Sequence, residues 1–392
     1  MYFVSTPLDQ LKINESDLSQ FRLIRRFQSC LAEIVQQTQL NRSWKDPRRK
    51  LQISDYLSLY LFSILNPVIE SMRGACAVSH AQRVGAEVCS GPVSLGAFSE
   101  AQHLVDEALL AQVFETLKKE LPERSGDDAL ARLRDLQVHL IDSSVWRVCD
   151  RLKWALWRPI TGGGNSTSDS AVRMHTVFDL NKGVVEQAEL TRAKMCERKV
   201  WKQLAKPGNL YVGDRYYSYD HSLLEELDKR QIYFLVRLRK TTQWVVQKEH
   251  GVDESAKVQG VIYCAEVKLG KDGNGVSAQV IEIATDAEPI RLLSNMSVDN
   301  LEAADLASLY KQRWQIECFF HWFKCILKNR HWFCESQRGL QVQVYIALIA
   351  AVLLTLFTGK RPNKRSMEMI QFYLNGWVGA DELPLLLKRH LK

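Results

Sequence analysis

The chain has 392 residues, nearly half of them hydrophobic, which exceeds one simple core and predicts two or three domains with ample apolar surface to bury. Its net charge is +7, and residues 301–392 carry 13 Lys plus Arg against 7 acids while residues 1–50 carry 9 against 5, a distribution suited to a polyanionic partner. Nine scattered cysteines with no Cys-x-x-Cys pair exclude a disulfide framework and fit a reducing cytosol.

Residues 16–40 place apolar side chains at Leu18, Phe21, Ile24, Phe27, Leu31 and Ile34 behind a capping Ser16, the pattern of an amphipathic helix. The basic loop Arg42–Lys50 follows. A second helix runs from Asp55 to Leu65 and is stopped by Asn66-Pro67. After the turn at Gly91-Pro92, Ser99-Glu100 opens a helix carrying Leu104, Val105, Leu109, Val113, Phe114 and Leu117. Residues 1–130 therefore read as an all-helical domain, and its charge favours a DNA-binding role.

From Leu136 the texture changes to strands. Gln137–Ile141 ends in Asp142; Lys153–Trp157, Arg173–Leu180 and Val184–Leu190 are further strands. The glycine run Thr161–Ser166 lacks the Gly-Lys-Ser/Thr ending of a nucleotide loop and reads as a connection. A helix over 197–205 leads into Asn209–Asp214, a strand ending in a second carboxylate; a helix over 219–229 leads into the strand Ile232–Leu238. This alternation predicts a parallel α/β portion of a core beginning at residue 131 and broken at 240. Residues 241–295, with five glycines among β-rich runs such as Val258–Val267 and Val276–Ala284, read as a β insertion. The core resumes over 296–345, and 346–392 forms a helical tail. The apolar run Val344–Phe357 has about fourteen residues, short of the roughly twenty that span a bilayer, and reads as a buried helix in a protein with no membrane partner.

One stretch carries chemistry. Tyr310–Lys324 lacks Pro and Gly and reads as one helix, with Tyr310, Arg313, Glu317, His321 and Lys324 inside a sector of roughly 80° and Trp314, Phe319, Phe320, Trp322 and Phe323 covering much of the rest as core. Two further carboxylates, Asp142 and Asp214, stand at the ends of strands, where α/β sheets place functional groups. Three acids from separate elements beside a basic stripe suit two divalent metals held by oxygen, which serve in-line phosphoryl displacement. Spacing alone leaves a solvated helix face as the plainer alternative. The strand residues His175 and Asp179 share a face and read as structural or DNA-positioning.

The spacing Tyr310-x2-Arg313-x3-Glu317-x6-Lys324 resembles the Tyr-Arg-Glu-Lys signature of bacterial insertion-sequence transposases of the insertion sequence four family, in the DDE class. Ile141-Asp142-Ser-Ser resembles that family's first-Asp block, and Asp214-Arg215 followed by Phe234–Arg239 its second. The resemblance implies a ribonuclease H-like catalytic core with a β-rich insertion, preceded by the helical domain and followed by the helical tail. It also implies catalysis and metal binding by Asp142, Asp214 and Glu317, two magnesium ions with manganese as substitute, and DNA contacts from Tyr310, Arg313, Lys324, Arg215, Arg237 and Arg239. The implied reaction is cleavage at the terminal inverted repeats of double-stranded DNA and strand transfer into target DNA, by a homodimer in the bacterial cytoplasm. Members that hold a flipped base on a tryptophan of the insertion would use Trp244 here. The alternative is a catalytically silent DNA-binding regulator derived from a transposase; the three intact carboxylates argue against it.

Overall fold

A computed structural model describes residues 22–66, 68–122, 136–148, 152–159, 168–326, 332–334, 336–359, 363–374, 377–379 and 381–390. The chain divides into two compact units: Met1–Pro122 with Val148–Leu156 and Phe320–Lys392, and Glu123–Arg147 with Trp157–Phe319.

The first unit is built of helices, with the strand residues Val148 and Leu156 at the edges of its middle segment. The helix Arg22–Gln37 buries Ile24, Phe27, Leu31 and Ile34, as its periodicity predicts; Ser16, Leu18 and Phe21 lie outside the described residues. Ile53–Leu65 is buried on nearly every side and ends at Asn66, whose extended backbone is the conformation favoured before proline. The single helix expected from Ser99 is two, Leu95–Ala101 and Glu107–Lys119. Asp106 makes the break, because its side chain accepts the Ala108 N–H (3.0 Å) and caps a new helix rather than continuing the old one.

The apolar run near the C-terminus belongs to a 22-residue helix, Gln337–Thr358, started by Ser336 and ended by Gly359 in the left-handed region (φ 70°). Length and composition would let it cross a membrane, but 83% of its apolar window is buried inside the protein. It packs against Glu107–Lys119, Ile53–Leu65 and Arg22–Gln37. Its one buried amide explains how a polar group survives there. Gln343 Oε1 accepts from the Tyr60 hydroxyl (2.9 Å) and from the Phe333 N–H (2.9 Å), while Tyr60 and Phe333 stack at 5.3 Å.

The second unit is built on a ten-stranded sheet: β1 (Val138–Val148), β2 (Leu156–Pro159), β3 (Ser168–Asp179), β4 (Val184–Arg192), β5 (Leu210–Gly213), β6 (Tyr233–Arg237), β7 (Trp244–Glu249), β8 (Val261–Leu269), β9 (Ser277–Ile283) and β10 (Ile290–Ser294). Its order is β2-β3-β1-β5-β6-β10-β9-β8-β7, with β4 on β3. β1, β5 and β6 run parallel, with Leu140 opposite Val212 and Val212 opposite Leu235. The helix His221–Lys229 makes the crossover from β5 to β6, and Glu197–Leu204 precedes β5. Strands β7 to β10 join the same sheet antiparallel through β10 on β6, so the glycine-rich segment extends the sheet.

Three local differences from expectation have local causes. β1 does not stop before Asp142 but runs on to Val148, with Trp146 and Val148 alternating inward. Lys153–Ala155 is a short 3-10 turn rather than strand. Val258 ends a one-turn helix, Glu254–Val258, because Asp253 accepts the Ala256 N–H (2.7 Å) and caps it.

Candidate active site

Asp142 and Asp214 sit side by side because β1 and β5 are adjacent parallel strands. The ladder pairs Leu140 with Val212, so both carboxylates follow two residues beyond the last paired positions. Gly213 sets how closely the strands approach. A Cβ there would lie 2.9 Å from Tyr217 Cδ2 and 3.1 Å from Ile141 Cδ1, between the residue preceding Asp142 and the turn following Asp214. Each carboxylate is oriented by its own backbone: Asp142 Oδ1 accepts from the Ser143 N–H (2.7 Å) and Asp214 Oδ1 from the Tyr216 N–H (2.8 Å).

Burial pushes the Asp142 carboxyl up to about 7; the Ser143 N–H opposes this, the Asp214 and Glu197 carboxylates add to it, and Arg313 opposes it. The site is therefore a partly desolvated acid pair with Arg313 beside it. Its carboxylates offer oxygen donors, the chemistry of a hard divalent cation. Among the described residues no three Asp, Glu, His or Cys side chains are grouped closely enough to hold an ion.

The signature stretch is not one helix. It is two, Ala303–Gln312 and Trp314–Ile326, meeting at Arg313. Arg313 keeps right-handed backbone angles, but its N–H reaches back to Tyr310 O (3.1 Å) and its carbonyl accepts from Ile316 N (3.2 Å), three-residue bonds that tighten the chain at the joint. Phe319, Phe320, Trp322 and Phe323 are core, as expected, and Phe319 meets Phe178 of β3 at 5.6 Å. Trp314 departs from that expectation at 61% exposed, since the joint turns it outward.

Arg313 Nη1 pairs with Glu317 Oε1 at 2.7 Å, and the same guanidinium interacts electrostatically with Asp142. Its buried Nε has no hydrogen-bond partner. Tyr310 is hydrogen-bonded to Arg313 and faces Arg237 and Asp214 electrostatically; burial raises its phenol, and the two arginines oppose the rise. The structure thus brings Asp142, Asp214, Glu317, Tyr310, Arg313 and Arg237 into one neighbourhood of the second unit. Lys324 lies on the Glu317 helix, two turns on and across the division into the first unit.

Arg215 is exposed on the turn after Asp214. Arg239 stacks over Tyr219 at 3.1 Å and, with Ser218, His221 and Lys271, lines a polar cleft of about 280 Å³. Trp244 is half-buried beneath the Arg291 guanidinium, 5.3 Å from its ring centre. His175 is buried, which lowers it to about 4, and its Nε2 contacts Thr191 Oγ1 (2.9 Å), while Asp179 accepts the Lys182 N–H in the β3–β4 turn. The runs Thr161–Ser166 and Lys360–Arg361 lie outside the described residues.

Sequence reasoning missed four residues of this neighbourhood. Glu197, Arg173 and Ser143, all half-buried, and the buried Tyr217 form a hydrogen-bonded network beside the two aspartates. Ser143 alone had a signal, as the neighbour of Asp142. Glu197 is one acid at a helix start, and nothing in its spacing marks it.

The transposase DDE domain family model matches residues 134–353, which contain all three predicted carboxylates. The chain belongs to this family. It is a DDE transposase of the insertion sequence four family, as its relatives indicate. It is 21% identical to the transposase named for insertion sequence element IS4SA of Synechocystis sp., over 82% of this chain and 87% of that one. It is 25% identical to a protein named as transposase y4zB in Sinorhizobium fredii, over 68% and 71%. It is 20% identical to the transposase for insertion sequence element IS231E of Bacillus thuringiensis subsp. finitimus, over 71% and 69%. Among solved structures, the piggyBac transposase synaptic complex with hairpin DNA overlaps 99% of this transposase and 84% of that chain, at 11% identity and a TM-score of 0.43. An overlap that loose assigns no residue of this transposase.

Proposed function

We propose that this transposase cuts at the terminal inverted repeats of its own insertion sequence and joins the freed end to target DNA, using Asp142, Asp214 and Glu317 as metal ligands on a ribonuclease H-like core. The observation that carries the reading is the pairing of Asp142 with Asp214 on adjacent parallel strands, with Arg313 linking Glu317 to the same neighbourhood. Two magnesium ions, with manganese as substitute, activate the attacking oxygen and stabilise the leaving one when bound. The carboxylate oxygens of Asp142 and Asp214, close enough to act on each other electrostatically, suit such ions. Glu317 is engaged by Arg313 here, and its release from that pair is part of the proposal.

In the first step water attacks the phosphorus at the transposon end and the 3′ oxygen leaves as a hydroxyl. In the second, that hydroxyl attacks a target phosphodiester, forming one bond and breaking one. Arg313 is suited to hold a phosphate oxygen near the reacting centre through its unpartnered Nε–H, with Tyr310 and Arg237 beside it. Lys324, Arg215 and Arg239 are assigned to the flanking duplex, and the working form is a homodimer on DNA in the bacterial cytoplasm.

The test incubates purified protein with its element's end DNA and magnesium or manganese. Wild type is expected to nick the end, while Asp142→Ala, Asp214→Ala and Glu317→Ala bind the same DNA and lose about 10³-fold or more in cleavage. Retained cleavage in all three variants would overturn the assignment.

A further inference from the structure

Arg173, on β3, is held by three elements at once. Its Nη1 donates to Ser143 Oγ (2.8 Å) on β1, its Nε donates to the Ala193 carbonyl (3.0 Å), and its guanidinium pairs with Glu197 Oε1 on the helix Glu197–Leu204. The Arg173 and Glu197 side chains are 19% and 17% exposed, so the pair is largely withdrawn from water. The Ser143 hydroxyl also bonds Glu197. The other Glu197 oxygen, Oε2, accepts from the Tyr217 hydroxyl (3.4 Å). Tyr217 is buried, its N–H donates to the Asp214 carbonyl (3.3 Å), and its ring meets Trp201 of the Glu197 helix edge to face at 5.3 Å.

The two arms of Glu197 therefore end one residue after Asp142 and three residues after Asp214. We propose that Glu197, acting through Arg173 and Tyr217, is the positioning residue that fixes the separation and orientation of these two carboxylates for metal binding. The inference rests on the reading of Asp142 and Asp214 as ligands. Glu197 and Arg173 also neutralise each other, so the clamp holds its geometry without adding net charge beside the ion-binding acids. Partners that orient ligating carboxylates tune the site, and their loss typically weakens metal affinity or activity by about 10–100-fold.

The experiment measures manganese binding to the protein–end-DNA complex by calorimetry, alongside cleavage and thermal unfolding, in Glu197→Gln, Glu197→Asp and Ser143→Ala. Ser143→Ala removes one hydroxyl from the relay and serves if the Glu197 variants fail to fold. The expected result is a melting point and DNA affinity close to wild type, manganese affinity lower by about tenfold or more, and cleavage partly rescued by high manganese. Wild-type manganese affinity in the folded variants overturns the proposal, whether or not cleavage falls. Asp142→Ala, run beside them, separates the two readings: if it keeps manganese binding and cleavage, the metal assignment itself fails.

Discussion

At the residue scale, Asp142 states the trade-off of the site. An aspartate raised by burial to about 7 binds its proton more tightly folded than unfolded. Between pH 4 and 7 the native state thus holds more protons, and stability falls as pH rises through that window, by a ceiling of about 4 kcal/mol for this group. The metal-free protein is expected to lose stability from pH 5 to pH 8 by an amount that Asp142→Asn largely abolishes, read by urea unfolding. An unchanged pH slope in Asp142→Asn would show that Asp142 is not the strained acid. Gly213 gives a second residue-scale expectation. Gly213→Val wedges between Ile141 and Tyr217 and is expected to cost about 1–3 kcal/mol and to depress cleavage; Gly96→Ala, with open space at its Cβ, is the neutral control.

At the element scale, legibility followed the range of the forces involved. The strands β5 and β6 with their helices were readable because apolar runs alternate with amphipathic periods, and Asp214 was placed by the end of its strand. The neighbourhood of Asp142 and Asp214 was legible although β1 runs past Asp142, because the parallel ladder ends at Leu140, close to the strand end expected from the apolar run. The break at Asp106 and the joint at Arg313 were not readable: each turns on one capping or three-residue hydrogen bond that a periodicity count averages away. Glu197 was invisible for another reason, since its partners Arg173 and Tyr217 are distant in sequence and met only through the sheet. The joint yields a prediction. With Arg313 as a phosphate contact, Arg313→Ala should weaken end-DNA binding and reduce the salt slope by about one unit; a slope equal to wild type would confine Arg313 to its pair with Glu317.

At the scale of the whole molecule, the family match crosses both units, from residue 134 in the second to residue 353 within the helix Gln337–Thr358 of the first. That helix is apolar because the first unit is built around it, and Gln343 is its polar tie. Gln343→Leu leaves the Tyr60 hydroxyl and the Phe333 N–H buried without their acceptor, so unfolding free energy should drop by about 2–4 kcal/mol; a melting point equal to wild type would contradict that role. The basic excess at both ends of the chain adds a sequence-independent attraction to duplex, which sharpens the need for a measurement at the acids themselves.

On the function proposed above, Asp142, Asp214 and Glu317 form one metal site once DNA is bound. The most direct test is the number of manganese ions bound by the protein–end-DNA complex, measured by calorimetry in wild type and in each single alanine variant. Wild type is expected to bind about two ions per active site and every variant to lose at least one. Equal manganese binding in wild type and all three variants would contradict that assignment.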